Sequence, residues 1–507
     1  MGKSWLLSMF NFIKKYSDYI FVALLILFSV IYIFMSVKTH LNFETYGWDL
    51  GVFDQGIWQW SKFIFPYSSF TDLPWLADHF HLILVLVAPF YWIYSSAITL
   101  VSVQAVVTCL GAIPLYLLSK RITKNYLFSL VISLSYFLFY SLQWHIFSGF
   151  HELTFLPLTL GFVMYFYETR NTKLYWLSFF LALLVKEEIG LLLGAFGVWI
   201  LISNRKRWKQ ALASVILGFG TTVFLVTYLM PAIAGGIYRH SGFGVSGNSF
   251  TDVIINIIKN PGLLLKAFVD SPVKVNTMFV TFWPFMFLPF FAPATLILAL
   301  QQFAVRFIDY EKVMRWTPYF TYSLPMATIM AWGSIYGFKN LQEYFEKFGR
   351  KVSKILIFTV ISALFVVTGL EQISLHAPIN SIFKKVFYRN ESWMDNNRKV
   401  IGCVPKTASI SAQDSLAPWL SERKYVKVFP EGLNQGYDYI IVDLHNGQSE
   451  NAFFFFGSEK TRYVIDDLLA RKLYGIVCKE GDSILLKKIS DTTGKLNYNF
   501  PLEIYEK

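Results

Sequence analysis

Charge is what this sequence has least of. Only 15% of its 507 residues are Asp, Glu, Lys or Arg, against about 25% in an ordinary soluble domain. That shortage excludes a disordered chain, a coiled coil and a soluble multi-domain enzyme. Cysteine is scarce too: Cys109, Cys403 and Cys478 cannot build a disulfide scaffold. Cys109 lies in an apolar run and reads as core, while Cys403 and Cys478 are free to pair or not. What is abundant is apolar surface. Hydrophobic residues make up 55% of the chain and the mean hydropathy is +0.45. Those values describe an α-helical polytopic membrane protein.

The charge is unevenly divided. Residues 371–507 carry 18 Lys and Arg against 17 Asp and Glu, so almost all of the net +12 lies upstream. Basic excess in a membrane region gathers in cytoplasmic loops, which explains it better than nucleic-acid binding. Lys14 and Lys15 precede the first apolar run, Tyr19 to Val37. That run is too long for a signal-peptide core and reads as a retained span with its N-terminus in the cytoplasm.

About 20 apolar residues cross a bilayer. Runs near 17–38, 97–119, 126–147, 152–169, 209–231, 318–338 and 352–371 qualify. Three stretches need a choice. Residues 80–95 contain Pro89; keeping Lys120, Arg121 and Lys124 inside requires them to lie on the surface or dip and return. Residues 174–203 are apolar except Lys186, Glu187 and Glu188. Three charges at mid-bilayer would be costly, so the segment reads as two shorter helices with the charges in their shared outer turn. Residues 277–306, interrupted by Pro284, Pro289 and Pro293, read as two more. The total expected is about 11 spans in the plasma membrane, over 1–375, with a first outer loop at 39–96.

The tail, 385–507, differs. Residues 398–404, 425–429, 437–443, 473–478 and 483–488 read as strands, with helices at 411–422 and 460–471. This predicts a small extracytoplasmic α/β domain. It has no Gly-rich phosphate loop, and the chain has no internal repeat.

That topology brings the unusual polar residues to one face. The first loop holds Glu44, Asp49, Asp54, Asp72, Asp78, His79 and His81. The next outer turn holds His145, His151 and Glu152, and the third holds Lys186, Glu187 and Glu188. All come out extracytoplasmic. Ionisable groups at membrane depth are functional candidates. Plainer roles exist for each: a helix cap for Asp49, Asp54 or Asp78, an interfacial position for His151–Glu152, an internal ion pair for Lys186. The Trp residues of the first loop read more readily as an interfacial belt than as a sugar platform.

Asp49-Leu50-Gly51-x-Phe53-Asp54-Gln55, Asp78-His79-Phe80, Phe150-His151-Glu152 and Lys186-Glu187, in that order, resemble a family of bacterial and archaeal predicted membrane proteins of unknown function. The layout also resembles the GT-C class of membrane glycosyltransferases, which use polyprenyl-phosphate sugars. That resemblance implies a first-loop carboxylate as general base, Asp49 with Asp54 as substitute, although this loop has no adjacent acidic pair.

The expected reaction is inverting transfer of a sugar from a polyprenyl-phosphate donor to a glycan, lipid or protein acceptor. Asp49 would take the acceptor proton. Lys186, or else Arg239 and His240, would meet the charge developing on the phosphate. Asp78, His79, His81, His151, Glu152, Glu187 and Glu188 would bind substrate. Asp49, His79, His81 and Glu152 also form a possible set for a divalent ion (Mn, Zn or Mg). The competing readings are a transporter, whose sites lie nearer mid-membrane, and a non-catalytic scaffold or sensor.

Overall fold

The computed structural model describes residues 2–236, 238–240, 247, 250–454, 456–493 and 496. The upstream part is a layer of apolar helices. Among the described residues, four helices are long and apolar enough to cross a membrane: Asn11–Leu41, Ala97–Thr123, Arg205–Ala234 and Arg350–Ser374. A fifth crossing arises if Tyr126–Leu138 and Tyr140–Phe147, bent by 42°, count as one. The expected eleven needs the shorter helices as well. Thr172–Leu183 has 12 residues and Ile189–Ser203 has 15, fewer than a full crossing requires.

The ambiguous stretches are each broken or shortened relative to a full crossing. Leu82–Trp92 is a 3-10 helix containing Pro89, tied to the helical layer where Ile83 N donates to Leu184 O at 2.9 Å. Lys186, Glu187 and Glu188 occupy the turn between Thr172–Leu183 and Ile189–Ser203. Around the prolines, Pro272–Phe282 gives way to short 3-10 turns and then to Leu296–Phe307.

Ile189–Ser203 packs along Trp208–Phe224. The contact is set by small residues: a Cβ on Gly190 would fall 2.3 Å from Gly218 O. Helices lacking a hydrophobic driving force in lipid associate through such close backbone approach.

The tail holds a five-stranded sheet in the order Val426–Val428, Ile410–Ala412, Tyr439–Asp443, Ser483–Lys488, Tyr474–Glu480. The first three strands are parallel, with Ile410 opposite both Val426 and Tyr439; the last two run antiparallel. Two expectations fail locally. Residues 398–402 belong to a helix, Ser392–Gly402, because Met394, Asn397 and Val400 share one buried helical face. The helix expected at 411–422 is instead a strand end and a 3-10 turn, Ala417–Trp419; Pro418 cannot sit inside a regular helix. The helix near 460–471 is present as Ser458–Ala470. Cys403 and Cys478 are disulfide-bonded and Cys109 is a buried free thiol.

The sheet lies directly on the first loop. Gly47 N donates to Asp414 Oδ1 at 2.8 Å. Ser69 Oγ donates to Val426 O at 2.7 Å and accepts from Val426 N at 3.0 Å. Gln55 Nε2 donates to Arg423 O at 2.9 Å, and Lys427 pairs with Asp72. The loop is therefore held between the helical layer and the tail.

Candidate functional site

The site grows from three turns at one end of the helices. In the first loop, a π-turn Gly47–Gly51 carries Asp49 into the helix Val52–Ser61. The ring of Phe53 anchors it, edge-on to Trp75, Phe150 and His151 at centroid distances of 5.9, 5.4 and 5.6 Å. The second turn is pinned by Gln104, a buried amide in an otherwise apolar helix. It accepts from His151 N at 2.9 Å and Thr154 Oγ1 at 3.0 Å and donates to Gly149 O at 2.5 Å. Gly149 has φ +86°, and a Cβ there would lie 3.0 Å from Asp49 Cβ. Only glycine takes that conformation readily at so close an approach.

His151 Nε2 lies 3.6 Å from Asp49 Oδ1. Although 41% of the Asp49 side chain stays open, enclosure by the protein raises its pKa, with His151 opposing. Lys186 Nζ is 2.8 Å from the buried Glu152 carboxylate. Burial would lower the Lys186 pKa, but Glu152, Glu188 and Glu187 together raise it, so the ammonium is firmly charged. Glu187 accepts from Phe80 N at 3.0 Å and Tyr238 Oη at 2.8 Å, and its Oε1 is 2.8 Å from His79 Nδ1. Glu188 meets Arg315 at 2.8 Å, and Arg315 also reaches Asp309 at 3.1 Å.

A further knot surrounds Asp78. Its Oδ1 is 2.9 Å from His240 Nε2 and 3.5 Å from Arg239 Nη1. Burial alone would raise its pKa, but the His240 hydrogen bond and the neighbouring positive groups hold it well below the usual carboxylate range. His79 stacks on His240 at 4.4 Å, and Lys312 Nζ is 2.7 Å from His240 Nδ1.

A cavity of about 480 Å³ joins these groups. Its lining combines charged and polar groups, His79, Lys186, Glu187, Glu188, His240, Glu311, Lys312 and Arg315, with apolar residues including Leu191, Val226, Val253 and Ile257. The two carboxylates named for the base separate here. Asp49 stands beside His151, with Tyr322 of the cavity lining nearby. Asp54 is buried at the tail interface, accepting from Tyr91 Oη and Ser421 Oγ, each at 2.5 Å. Burial, then the charge of Glu422, pushes its pKa up to about 7.

The metal set expected from sequence is divided among several environments: Asp49 beside His151, Glu152 on Lys186, His79 on Glu187. His81 is buried between Trp75 and Phe53, at centroid distances of 4.2 and 5.6 Å, and burial pushes its pKa down to about 4. The group whose ligand atoms all lie within 4.8 Å of one another is Asp78, His79 and His240. Its chemistry suits a divalent cation, and Glu187 orients His79 by Nδ1, as second carboxylates orient metal-bound imidazoles. Lys312 on His240 Nδ1 leaves the proton on Nε2, so a cation must displace that proton.

Arg315, Lys312, Asp309, Tyr238 and Gln104 were not singled out from sequence. Asp309 to Arg315, DYEKVMR between apolar runs, was the available signal: the topology expected to put Lys186 outside puts this loop there as well.

A helical membrane layer with charged turns gathered beneath a mixed sheet defines the class. The chain belongs to the family described as Predicted membrane protein (DUF2079), matching it over residues 39–465. No curated protein matches it. Among solved structures, it shares the fold of ArnT from Cupriavidus metallidurans bound to undecaprenyl phosphate. The two are 11% identical with a TM-score of 0.54, covering 94% of this chain and 99% of ArnT. Apo ArnT from the same organism gives 12% identity and a TM-score of 0.50 over the same shares. The fold is thus ArnT-like, a helical membrane layout of the kind expected from the sequence.

Proposed function

We propose that this protein is a membrane glycosyltransferase that moves a sugar from a polyprenyl-phosphate donor to an acceptor at the extracytoplasmic face, with inversion. The observation that carries this reading is the cavity lining, divided between charged groups, among them Lys186, Lys312 and Arg315, and a larger set of apolar residues. A lipid phosphate has the same division. The fold shared with ArnT, described bound to undecaprenyl phosphate, supports it.

In this mechanism Asp49 accepts the acceptor hydroxyl proton as the oxygen attacks the sugar's anomeric carbon. The bond from that carbon to the phosphate oxygen breaks, and its electron pair leaves with the lipid phosphate. Lys186, Lys312 and Arg315 meet that charge in a site where water is largely excluded. Asp78, His79 and His240 would hold a divalent cation (Mn, Zn or Mg), which would polarise phosphate oxygens. Arg239, Glu187 and Glu188 keep the cationic groups oriented, while His151 and Glu152 do so for Asp49 and Lys186.

The N-terminus is cytoplasmic and the tail from 385 extracytoplasmic. The Cys403–Cys478 disulfide supports the latter, since such bonds persist in oxidising compartments. The shorter helices would combine to complete about eleven crossings. The test is to give purified protein labelled polyprenyl-phosphate sugars and membrane extract as acceptor source. Label must move to product and stop moving in Asp49→Asn. Substrate flux in proteoliposomes without any transfer would replace this reading by the transporter.

A further inference from the structure

A second pocket, of about 530 Å³, lies at the opposite end of the helices. Ile189–Ser203 starts beside Glu188 at the candidate site and ends with Ser203 in this pocket. Arg121, Arg170 and Arg207 line it, with Glu168, Trp199 and Tyr336.

The charges there do not cancel. None of the three arginines makes an ion pair with a carboxylate among the described residues. The one pocket carboxylate, Glu168, accepts instead from the Tyr336 hydroxyl. Arg207 is already aimed. Its Nη1 donates to Tyr167 O at 2.7 Å, and its guanidinium lies 4.5 Å from the Tyr167 ring centroid. That fixes the plane and leaves other N–H donors of the fork free. Arg170 follows the helix Leu156–Glu168 with φ +59°, a left-handed position that favours glycine or asparagine. An arginine there costs backbone energy, and its side chain has no hydrogen bond among the described residues that would repay it.

Three like charges sharing one pocket repel each other, with exposed Arg121 and Arg170 partly screened by water and Arg207 half-buried. A bound anion reverses the sign of that interaction. We propose that this pocket is a binding site for a phosphate-bearing anion, its oxygens bridging Arg121, Arg170 and Arg207. Guanidinium forks match phosphate oxygens two at a time, which a lysine ammonium does not. The phosphate has two possible sources: an anionic lipid headgroup of the adjacent leaflet, as basic pockets between spans take, or a soluble phosphate compound. Exposed Ile202 and Trp208 flank Arg207 in sequence and suit a lipid.

The experiment uses the full chain in detergent. Native mass spectrometry measures retained phosphatidylglycerol against phosphatidylcholine, and thermal unfolding is followed with added inorganic phosphate. Two double variants are compared with the wild type: R121Q/R170N, in which asparagine suits the left-handed position, and R121K/R170K, which keeps the charge but removes two forks. The wild type should hold phosphatidylglycerol at least about tenfold better than phosphatidylcholine, or gain thermal stability with phosphate. Both variants should lose most of that response. A response to phosphatidylglycerol alone assigns the lipid source; a response to inorganic phosphate assigns the soluble one. No response in the wild type to either probe, or an equal response in R121K/R170K, overturns the proposal.

Discussion

Asp49 and Asp54 sit five residues apart on one short stretch of loop and helix, yet they belong to different parts of the molecule. Asp49 opens toward the charged turns, with His151 beside it. Asp54 faces the tail sheet, buried and closed off by the hydroxyls of Tyr91 and Ser421. Just under a turn and a half of helix separates a carboxylate with open space before it from one already used as mortar. Chemical type alone does not make a functional residue; an unfilled hydrogen-bonding direction toward open space does.

The sharpest way to break this contrast is Asp49→Asn. Sugar transfer should fall at least about a hundredfold, as expected when a general base is lost, with the thermal midpoint unchanged. A variant that transfers normally removes Asp49 from the role. Next in size is Lys186→Met. It leaves Glu152 buried without its partner, which costs about 3–5 kcal/mol, and donor use should fail as well. Adding Glu152→Gln should restore the thermal midpoint but not the transfer. If both return, Lys186 is structural only.

Asp54→Asn tests the other side. The folded-state pKa of Asp54, about 7, lies above its ordinary 3.8. Folding therefore takes up a proton between those values, and this residue's contribution to stability is lost as pH rises from about 4 to about 7. Thermal midpoints from pH 5 to 8 should show that slope in the wild type and a flatter one in Asp54→Asn, with transfer largely kept. A sharp loss of transfer would put Asp54 back in contention as the base. The smallest effect is expected for Ser421→Ala. Losing one buried hydrogen bond should cost about 1–3 kcal/mol, read as a lower midpoint with no change in transfer rate.

Much of the site was legible because a membrane makes charge conspicuous. Lys186, Glu187 and Glu188 stand out in an apolar segment, and avoiding their burial located the helix break. Asp54 was not separable from Asp49, since Ser421, the partner that buries it, is 367 residues away. His240 and Asp78 were both candidates, but nothing in their spacing joins them at 2.9 Å. Arg315 and Lys312 escaped notice because a basic residue between apolar runs is ordinary until its carboxylate partner is known. In the tail, Val400 and Ile401 carry strand-like propensity, and packing against the sheet turned them into helix.

The helix from Ile189 to Ser203 has 15 residues, about 22 Å at 1.5 Å per residue. A bilayer's hydrocarbon is about 30 Å thick. The Lys186–Glu188 turn and the pocket at Ser203 are thus closer together than the two faces of such a bilayer. Under the proposed reaction, a lipid phosphate would reach that turn by sliding sideways within the bilayer, without first rising into water.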